Sequence, residues 1–257
     1  MTHFDLQIRR EQPADYRATE QMVREAFWNL YSPGCAEHYL LHLMRGSRHF
    51  VPELDHVATA GGKIVGAVVC QKAFIMGDDG NRYDVLSLGP IAVLPSCQHQ
   101  GIGRMLPRRA IATAAGRGFR AILLCGEPEF YAKVGFVPAK RFGIRTAQGK
   151  YFAALHARPL YAGALKDAAG RYFEDDIYFV DEAEAAAFFP PVPAQKAHRR
   201  DAHPAALRRG AVHARRRPAI ATPPDSRMKH PSPVVPSLPA AGDAFCRNYF
   251  VHSAGNS

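Results

Sequence analysis

The chain has 257 residues, of which 47% are hydrophobic, and carries a formal net charge of +10. That length and composition suit one domain with additions or two small domains, and no apolar run approaches the ~18 residues of a membrane-spanning helix. The five scattered cysteines form no CxxC pair and the first residues lack the order of a secretory signal, so we expect free thiols in a cytoplasmic protein without a zinc site.

Two helices are predicted near the amino-terminal end, after a short strand at residues 6–9. Asp15 stands where its carboxylate can accept the free N–H groups of a first helical turn. Apolar residues then recur at helical spacing, at Met22, Val23, Ala26 and Phe27. A second helix is expected at about residues 36–44, with Gly46 as its stop.

A run of strands follows these helices. Residues 56–60 and 63–70 are strand-like and flank Gly61-Gly62, a pair that suits a tight hairpin because both turn positions need positive φ. A second turn at residues 77–81 leads into a long strand at 82–93.

The next segment alternates helix and strand. A helix is predicted at residues 101–116, a buried strand at 121–125, a short helix at 128–133 and a strand at 152–156. Early helices, a meander of strands and a strand–helix–strand unit together indicate an α/β (α+β) fold with a mixed sheet.

The positive charge is concentrated at the carboxyl-terminal end. Residues 1–190 contain 22 Lys and Arg against 20 Asp and Glu, whereas residues 191–257 contain 11 against 3, together with ten prolines. Such a composition cannot bury enough apolar surface to offset its ordering entropy. We therefore predict a folded domain over 1–190 and a disordered, basic Pro/Arg-rich tail over 191–257.

Any nucleic-acid partner would bind through this tail. The tail lacks interleaved aromatic residues, amphipathic spacing and a nucleic-acid fold motif. A basic extension without a specific partner is therefore favoured. A shifted reading frame would give the same composition. No membrane partner is expected.

A strand-to-helix turn carries the strongest chemical signal. A strand ends near Val93, and a helix begins at Gly101 and Gly103 after a short polar turn. Backbone N–H groups at a helix start lack intrahelical partners and lie at the positive end of the helix dipole, which makes a ready phosphate site. The spacing alone also fits a simple tight connection, and it matches neither a GxGxxG fingerprint nor a Walker loop.

Two motifs in order make the pattern specific. Gln98-x-x-Gly101-x-Gly103, preceded by LGPIAVLPS, resembles the pyrophosphate-loop signature of the GCN5-related N-acetyltransferase (GNAT) superfamily. Tyr131-x-x-x-Gly135-Phe136 resembles the second signature of that superfamily, and the surrounding GEPEFYAKVGFVPA is similar to its bacterial YhbS-like branch. The resemblance covers roughly residues 4–190.

The resemblance implies a mixed, mostly antiparallel sheet of six or seven strands, flanked by helices and splayed between the fourth and fifth strands. It implies an N-acetyltransferase that moves acetyl from acetyl-CoA to a primary amine in a direct ternary complex, without a metal. The acceptor partner would be a small molecule, such as a metabolite or an antibiotic-like amine, or a protein lysine or N-terminus. A homodimer is compatible with this assignment.

The resemblance also assigns site residues. The pantetheine arm would bind the backbone of Ile91, Ala92 and Val93. The pyrophosphate would bind at Gln98, His99, Gln100, Gly101, Ile102, Gly103 and Arg104. Tyr131 would protonate the departing sulfur, although packing beside Phe130 is the alternative for this side chain. Pro107 departs from the pattern, because a proline inside the helix removes a hydrogen bond to the carbonyl near Gly103.

The general base is not identified by the sequence. Glu127, Glu129, Asp84 and Ser87 are candidates, each more often a solvated or turn-satisfied residue. His38 and His42 could share a helix face as a metal pair, but a coincidence on the helix surface is favoured. Cys97 and Cys125 beside the cleft are favoured as small buried side chains rather than nucleophiles. Trp28, Tyr31 and Tyr39 could line the acceptor site, and core packing explains them equally well. A non-catalytic acyl-CoA sensor and a nucleic-acid-associated protein remain as alternative functions.

Overall fold

The computed structural model describes residues 5–30 and 34–189, so Tyr31, the predicted boundary at 190 and the predicted tail lie outside the described residues. Helices pack on both faces of one sheet. The α-helices of the described part are α1 (Tyr16–Phe27), α2 (Glu37–Gly46), α3 (Ile102–Gly116), α4 (Pro128–Ala132) and α5 (Glu182–Phe188).

The sheet has nine strands within the described residues, seven of them with four or more residues. They are β1 (Leu6–Arg10), β2 (His56–Ala60), β3 (Lys63–Gly77), β4 (Arg82–Val93), β5 (Ala121–Cys125), β6 (Val137–Pro138), β7 (Ile144–Arg145), β8 (Leu155–Pro159) and β9 (Gly170–Phe173). The order is β1-β2-β3-β4-β5-β8-β6, with β9 on the end of β3 and β7 on β9. Among the strand pairs of the described residues, only β4–β5 and β7–β9 are parallel, so the predicted mixed, mostly antiparallel sheet is confirmed.

Strand alternation divides the core between the two faces of the sheet. Val68 and Cys70 belong to the cluster that contains Leu106 of α3, whereas Val69 belongs to the cluster that contains Met44 of α2. Successive side chains of a strand point to opposite faces, so one strand serves both layers. We call these sides the α3 face and the α1/α2 face.

The predicted elements between residues 56 and 125 are found with small changes. Gly61 and Gly62 both have positive φ, 55° and 76°, as the hairpin requires. Helix α3 continues through Pro107, whose side chain is buried on the α3 face, so the proline is tolerated within the helix. The strand expected at 152–156 begins at Leu155 instead, because the Leu155 N–H donates to the Phe152 carbonyl and closes a turn there.

Asp15 has the predicted position but not the predicted partner. It is the residue before α1, yet its carboxylate accepts from Nη1 and Nη2 of Arg9 at 2.6 and 2.9 Å and from the Gln12 N–H at 2.8 Å. The cause is a single 3-10 turn, Pro13–Asp15, that precedes α1 and leaves Asp15 in helical conformation. The carboxylate therefore joins β1 to this turn.

A buried ion cluster connects α2 to the start of the fold. Arg45 of α2 donates to Glu11 at 2.7 Å and to Glu20 at 2.9 Å, and its Nε lies 3.8 Å from Asp55. Burial, followed by the hydrogen bond and the charge of Glu11, raises the pKa of Asp55 to about 9. The folded protein therefore holds a proton that the unfolded chain releases near pH 4.

We expect the free energy of unfolding to fall as pH rises from about 4 to 9, because the proton on Asp55 stabilises the folded state over that window. In the wild type, one such proton can contribute a slope of at most about 1.4 kcal/mol per pH unit to the free energy of unfolding. The side chain in Asp55→Asn stays neutral, so the free energy of unfolding of this variant should vary less with pH. Urea unfolding at several pH values tests this. Asp84→Asn, at an exposed carboxylate, should keep the wild-type slope, and an unchanged slope in Asp55→Asn would contradict the assignment.

Candidate active site

Strands β4 and β5 separate after a short contact. Their parallel ladder consists of two pairs, Leu86 with Ile122 and Ser87 with Leu123. Beyond Ser87, β4 continues to Val93 along β3, and β5 continues to Cys125 along β8. A wedge therefore opens between the two strands, where the splay was predicted.

A bulge bends β4 at the start of this wedge. Val68 pairs with Ile91 and Cys70 pairs with Leu88, so Gly89 and Pro90 both stand opposite Val69. The Gly89–Pro90 peptide is cis, and Gly89 has a φ of 141°. An extra residue in one strand increases local bending and twist, which here directs the end of β4 away from β5.

The phase of the β3–β4 ladder decides which backbone groups face the wedge. The Leu94 N–H donates to the Val65 carbonyl at 2.9 Å, which makes Val93 and Gly66 a non-hydrogen-bonded pair. By alternation, Ala92 exchanges hydrogen bonds with β3, whereas Ile91 and Val93 direct their N–H and C=O groups into the wedge. Of the three residues predicted to bind a pantetheine arm, Ile91 and Val93 therefore present backbone groups to the wedge, and Ala92 does not.

The loop between β4 and α3 presents a row of backbone donors. Within the described part of the chain, the N–H groups of residues 99–103 have no acceptor, and the first helical donors are those of Arg104 and Met105, both to the Gly101 carbonyl. Positive φ at His99, 64°, and at Gly101, 84°, shapes this turn. Successive free amides at a helix start form an anion-binding concavity.

Gln98 holds this loop against the strand. Its Nε2 donates to the Val93 carbonyl at 3.1 Å, so the side chain closes the turn. A Cβ at Gly103 would lie 3.8 Å from Val93, which is an ordinary contact, so space does not require a glycine there. Gly101 does favour glycine, because its φ is positive. A cleft joins the loop to α1 and is lined by Ala26, Phe27, Ile91, Ala92, Val93, Gln98 and Gly103.

Tyr131 lies on α4, with its side chain buried in the α3-face core beside the wedge. Its ring meets Phe130 and Phe136 edge-on, with centroids 5.0 and 5.5 Å away. Gly135 has a φ of 84° and turns the chain, so that the Phe136 N–H donates to the Tyr131 carbonyl at 3.0 Å. The spacing Tyr-x-x-x-Gly-Phe thus forms a compact turn that fixes the tyrosine ring.

Gly126, directly after β5, leaves the space that the Tyr131 ring occupies, because a Cβ at this position would overlap ring atoms Cε2 and Cδ2. We expect Gly126→Ala to displace Tyr131, to destabilise the fold by about 1–3 kcal/mol, and to lower turnover. Gly46→Ala, with open space around the added Cβ and no positive φ, is the control and should change neither quantity appreciably. Chemical unfolding and steady-state rates measure the two effects, and unaltered turnover in Gly126→Ala would show that the ring position is unimportant.

The predicted base candidates are not equivalent. Asp84 is exposed and pairs with Arg82 at 2.9 Å, and Glu129 is exposed on α4. Ser87 is buried, and its Oγ donates to Oε1 of Glu174 at 2.5 Å. The structure thus connects one candidate on β4 to a carboxyl group far along the chain.

Glu174 is not among the residues that the sequence predicted for the site. It follows β9, and its Oε1 also accepts from the Tyr172 hydroxyl at 2.9 Å, while the Tyr178 hydroxyl donates to Ser87 at 3.1 Å. Burial raises the pKa of Glu174, and the two hydroxyl hydrogen bonds oppose that shift only partly. The alternation of aromatic and acidic residues in RYFEDDIY was the available signal, but it does not reveal the contact with Ser87.

The two histidines of α2 have separate environments. His38 packs against Phe188 and Phe189, and burial lowers its pKa to about 4. His42 pairs with Glu20 at 3.0 Å. Over residues 5–30 and 34–189, no group of three His, Cys, Asp or Glu side chains could hold a metal ion, and no helix is long and apolar enough to cross a membrane.

A splayed mixed sheet, an amide-rich loop before α3 and a tyrosine on α4 are the features that the resemblance to the GNAT superfamily predicts. Residues 19–136 match the sequence model described as the acetyltransferase (GNAT) family. The chain is similar to YhbS of Escherichia coli K12, an uncharacterized N-acetyltransferase, with 26% identity over 164 residues that cover 63% of this chain and 92% of YhbS.

Two solved structures share the fold. The match to Escherichia coli YhbS in complex with CoA has a TM-score of 0.62 at 23% identity, and it covers 70% of this chain and 94% of the YhbS chain. The match to a GNAT family acetyltransferase from Brucella melitensis in complex with acetyl-CoA has a TM-score of 0.55 at 24% identity, and it covers 68% of this chain and 99% of the Brucella chain.

Proposed function

We propose that this protein transfers an acetyl group from acetyl-CoA to a primary amine within a direct ternary complex. The observation that carries the proposal is the row of amides at residues 99–103, which opens beside a strand edge that faces the wedge. Ligands with a diphosphate and an extended amide-containing arm match this arrangement of donors and acceptors. Acetyl-CoA has both features.

Each part of the cosubstrate has a counterpart. The pyrophosphate would accept hydrogen bonds from the amides of residues 99–103, and the exposed Arg104 adds positive charge next to them. The pantetheine amides would pair with the Ile91 C=O group and with the Val93 N–H as a neighbouring strand does, while the Val93 carbonyl accepts from Gln98. Residues 123–126 would form the opposite wall of the wedge.

The chemistry needs a polarised carbonyl, a neutral amine and a protonated leaving group. The Ile91 N–H, directed into the wedge, would donate to the thioester oxygen and stabilise the charge that develops there. Tyr131 would give its phenolic proton to the departing thiolate. The amine would attack from the side of the wedge opposite Tyr131.

Isothermal titration of the full chain with acetyl-CoA tests the proposal. We expect a dissociation constant near 1 μM, which corresponds to about 8 kcal/mol. Adenosine, which lacks the pyrophosphate and the pantetheine arm, is the control and should bind at least ~100-fold more weakly, because it uses neither the amides nor the strand edge. Equal affinity for the two ligands would exclude this site and, with it, the proposed reaction.

A further inference from the structure

We propose that Glu174 is the general base that accepts a proton from the acceptor amine, a role that rests on the proposed acetyl transfer. The carboxyl group is attached to the point where the wedge begins. Ser87, its hydrogen-bond donor on β4, forms with Leu123 the last pair before β4 and β5 separate. No other carboxyl group among the described residues is hydrogen-bonded to this part of β4.

The two oxygens of Glu174 are used differently. The hydroxyls of Ser87 and Tyr172 both donate to Oε1, at 2.5 and 2.9 Å. Within the described part of the chain, both hydrogen bonds to Glu174 end on Oε1 and none on Oε2, and the residue retains partial solvent exposure. One oxygen is therefore fixed by the fold, and the other is available to a substrate.

The face on which Glu174 lies suits a base that is separate from the acid. Leu86 belongs to the α3-face cluster, so Ser87, the next residue of the strand, points to the opposite face. Tyr178, which donates to Ser87, packs in the α1/α2-face cluster. Tyr131 lies in the α3-face cluster, so the proposed acid and base approach the wedge from opposite faces.

The titratable groups around Glu174 leave it without a compensating cation. Tyr172 and Tyr178 face it, and burial raises the pKa of both phenols, as it does for the Cys70 thiol near Tyr178. The neighbouring Asp175 instead accepts from the Ser47 hydroxyl at 2.8 Å. Among the described residues, no Lys, Arg or His forms an ion pair with Glu174, so an incoming ammonium ion supplies the missing positive charge.

The proton balance closes with these two residues. The acceptor enters as an ammonium ion and loses one proton to Oε2 of Glu174. The neutral nitrogen forms a C–N bond at the thioester carbonyl, and the C–S bond breaks. Tyr131 gives its proton to the departing sulfur, the nitrogen releases its second proton to water as the amide forms, and Tyr131 regains a proton from water. The products are the amide, the CoA thiol and the proton on Glu174, which passes to water.

Glu174→Gln tests the proposal because it retains an oxygen for Ser87 and Tyr172 but cannot accept the proton. Released CoA thiol is measured against pH with saturating acetyl-CoA and two probe amines, strongly basic ethylamine and weakly basic aminoacetonitrile. The wild-type rate should rise as Glu174 ionises and then level off. With ethylamine, the variant should be slower by about 100- to 10,000-fold near neutral pH, and its rate should keep rising tenfold per pH unit. With aminoacetonitrile, which is already neutral, the loss should be smaller.

Acetyl-CoA affinity and the unfolding midpoint are measured for the same proteins, with Glu25→Gln, an exposed residue of α1, as the matched control. Equal losses for both amines, or a variant profile that levels off like the wild type, would overturn the role of Glu174 and leave acetyl transfer intact. Absence of acetyl-CoA binding, or of transfer to either amine by the wild type, would overturn the proposed function as well. Control and variant should bind acetyl-CoA alike.

Discussion

Tyr131→Phe should lower kcat for acetyl transfer by about 100- to 10,000-fold while acetyl-CoA affinity changes by less than about twofold. The substitution removes one hydroxyl and keeps the ring, whose packing against Phe130, Phe136 and Gly126 sets the position of α4. The expected loss is confined to chemistry because the proton is needed only as the thiolate leaves. Steady-state rates and titration with acetyl-CoA separate the two effects.

Tyr161→Phe is the matched control for this experiment, since it removes the same atom from a side chain that is 51% exposed. It should leave kcat and affinity unchanged. Unaltered kcat in Tyr131→Phe would assign Tyr131 to packing alone. A wild type that binds acetyl-CoA tightly but acetylates no amine would instead support the alternative of an acyl-CoA sensor.

Gly101→Glu should weaken acetyl-CoA binding by about 100-fold or more. Gly101 has a φ of 84°, a conformation that costs an L-residue about 1–2 kcal/mol. The added carboxylate would also lie among the amides of residues 99–103, where it competes with the pyrophosphate for the same donors and repels its charge. Isothermal titration measures the affinity, and circular dichroism confirms that the fold is retained.

Gly116→Glu places the same charge at the other end of α3, where the residue is exposed and its φ is not positive. This control should bind acetyl-CoA as the wild type does, with a loss of stability below about 1 kcal/mol from the unfavourable helix dipole. Similar affinities for the two variants would mean that the loop before α3 does not hold the phosphates. The proposed cosubstrate would then have to be abandoned.

Local patterns in the sequence were sufficient for much of the fold. The glycine pair at 61–62, the long strand at 82–93 and the buried strand at 121–125 follow from turn chemistry and hydrophobic runs, which depend only on neighbouring residues. The two short strands β6 and β7 and the four-residue β9 were not predicted. Their strand geometry comes from partners distant in sequence, and segments so short have no periodicity of their own.

By itself, the sequence determined the loop and Tyr131 as site candidates, because both depend on spacings within a few residues of one another. Tertiary structure decided how the rest of the site is used. The phase of the β3–β4 ladder selects Ile91 and Val93, rather than Ala92, to face the wedge. Glu174 reaches Ser87 across 87 positions only because β9 joins the edge of β3, and long-range contacts of this kind leave no local pattern to read.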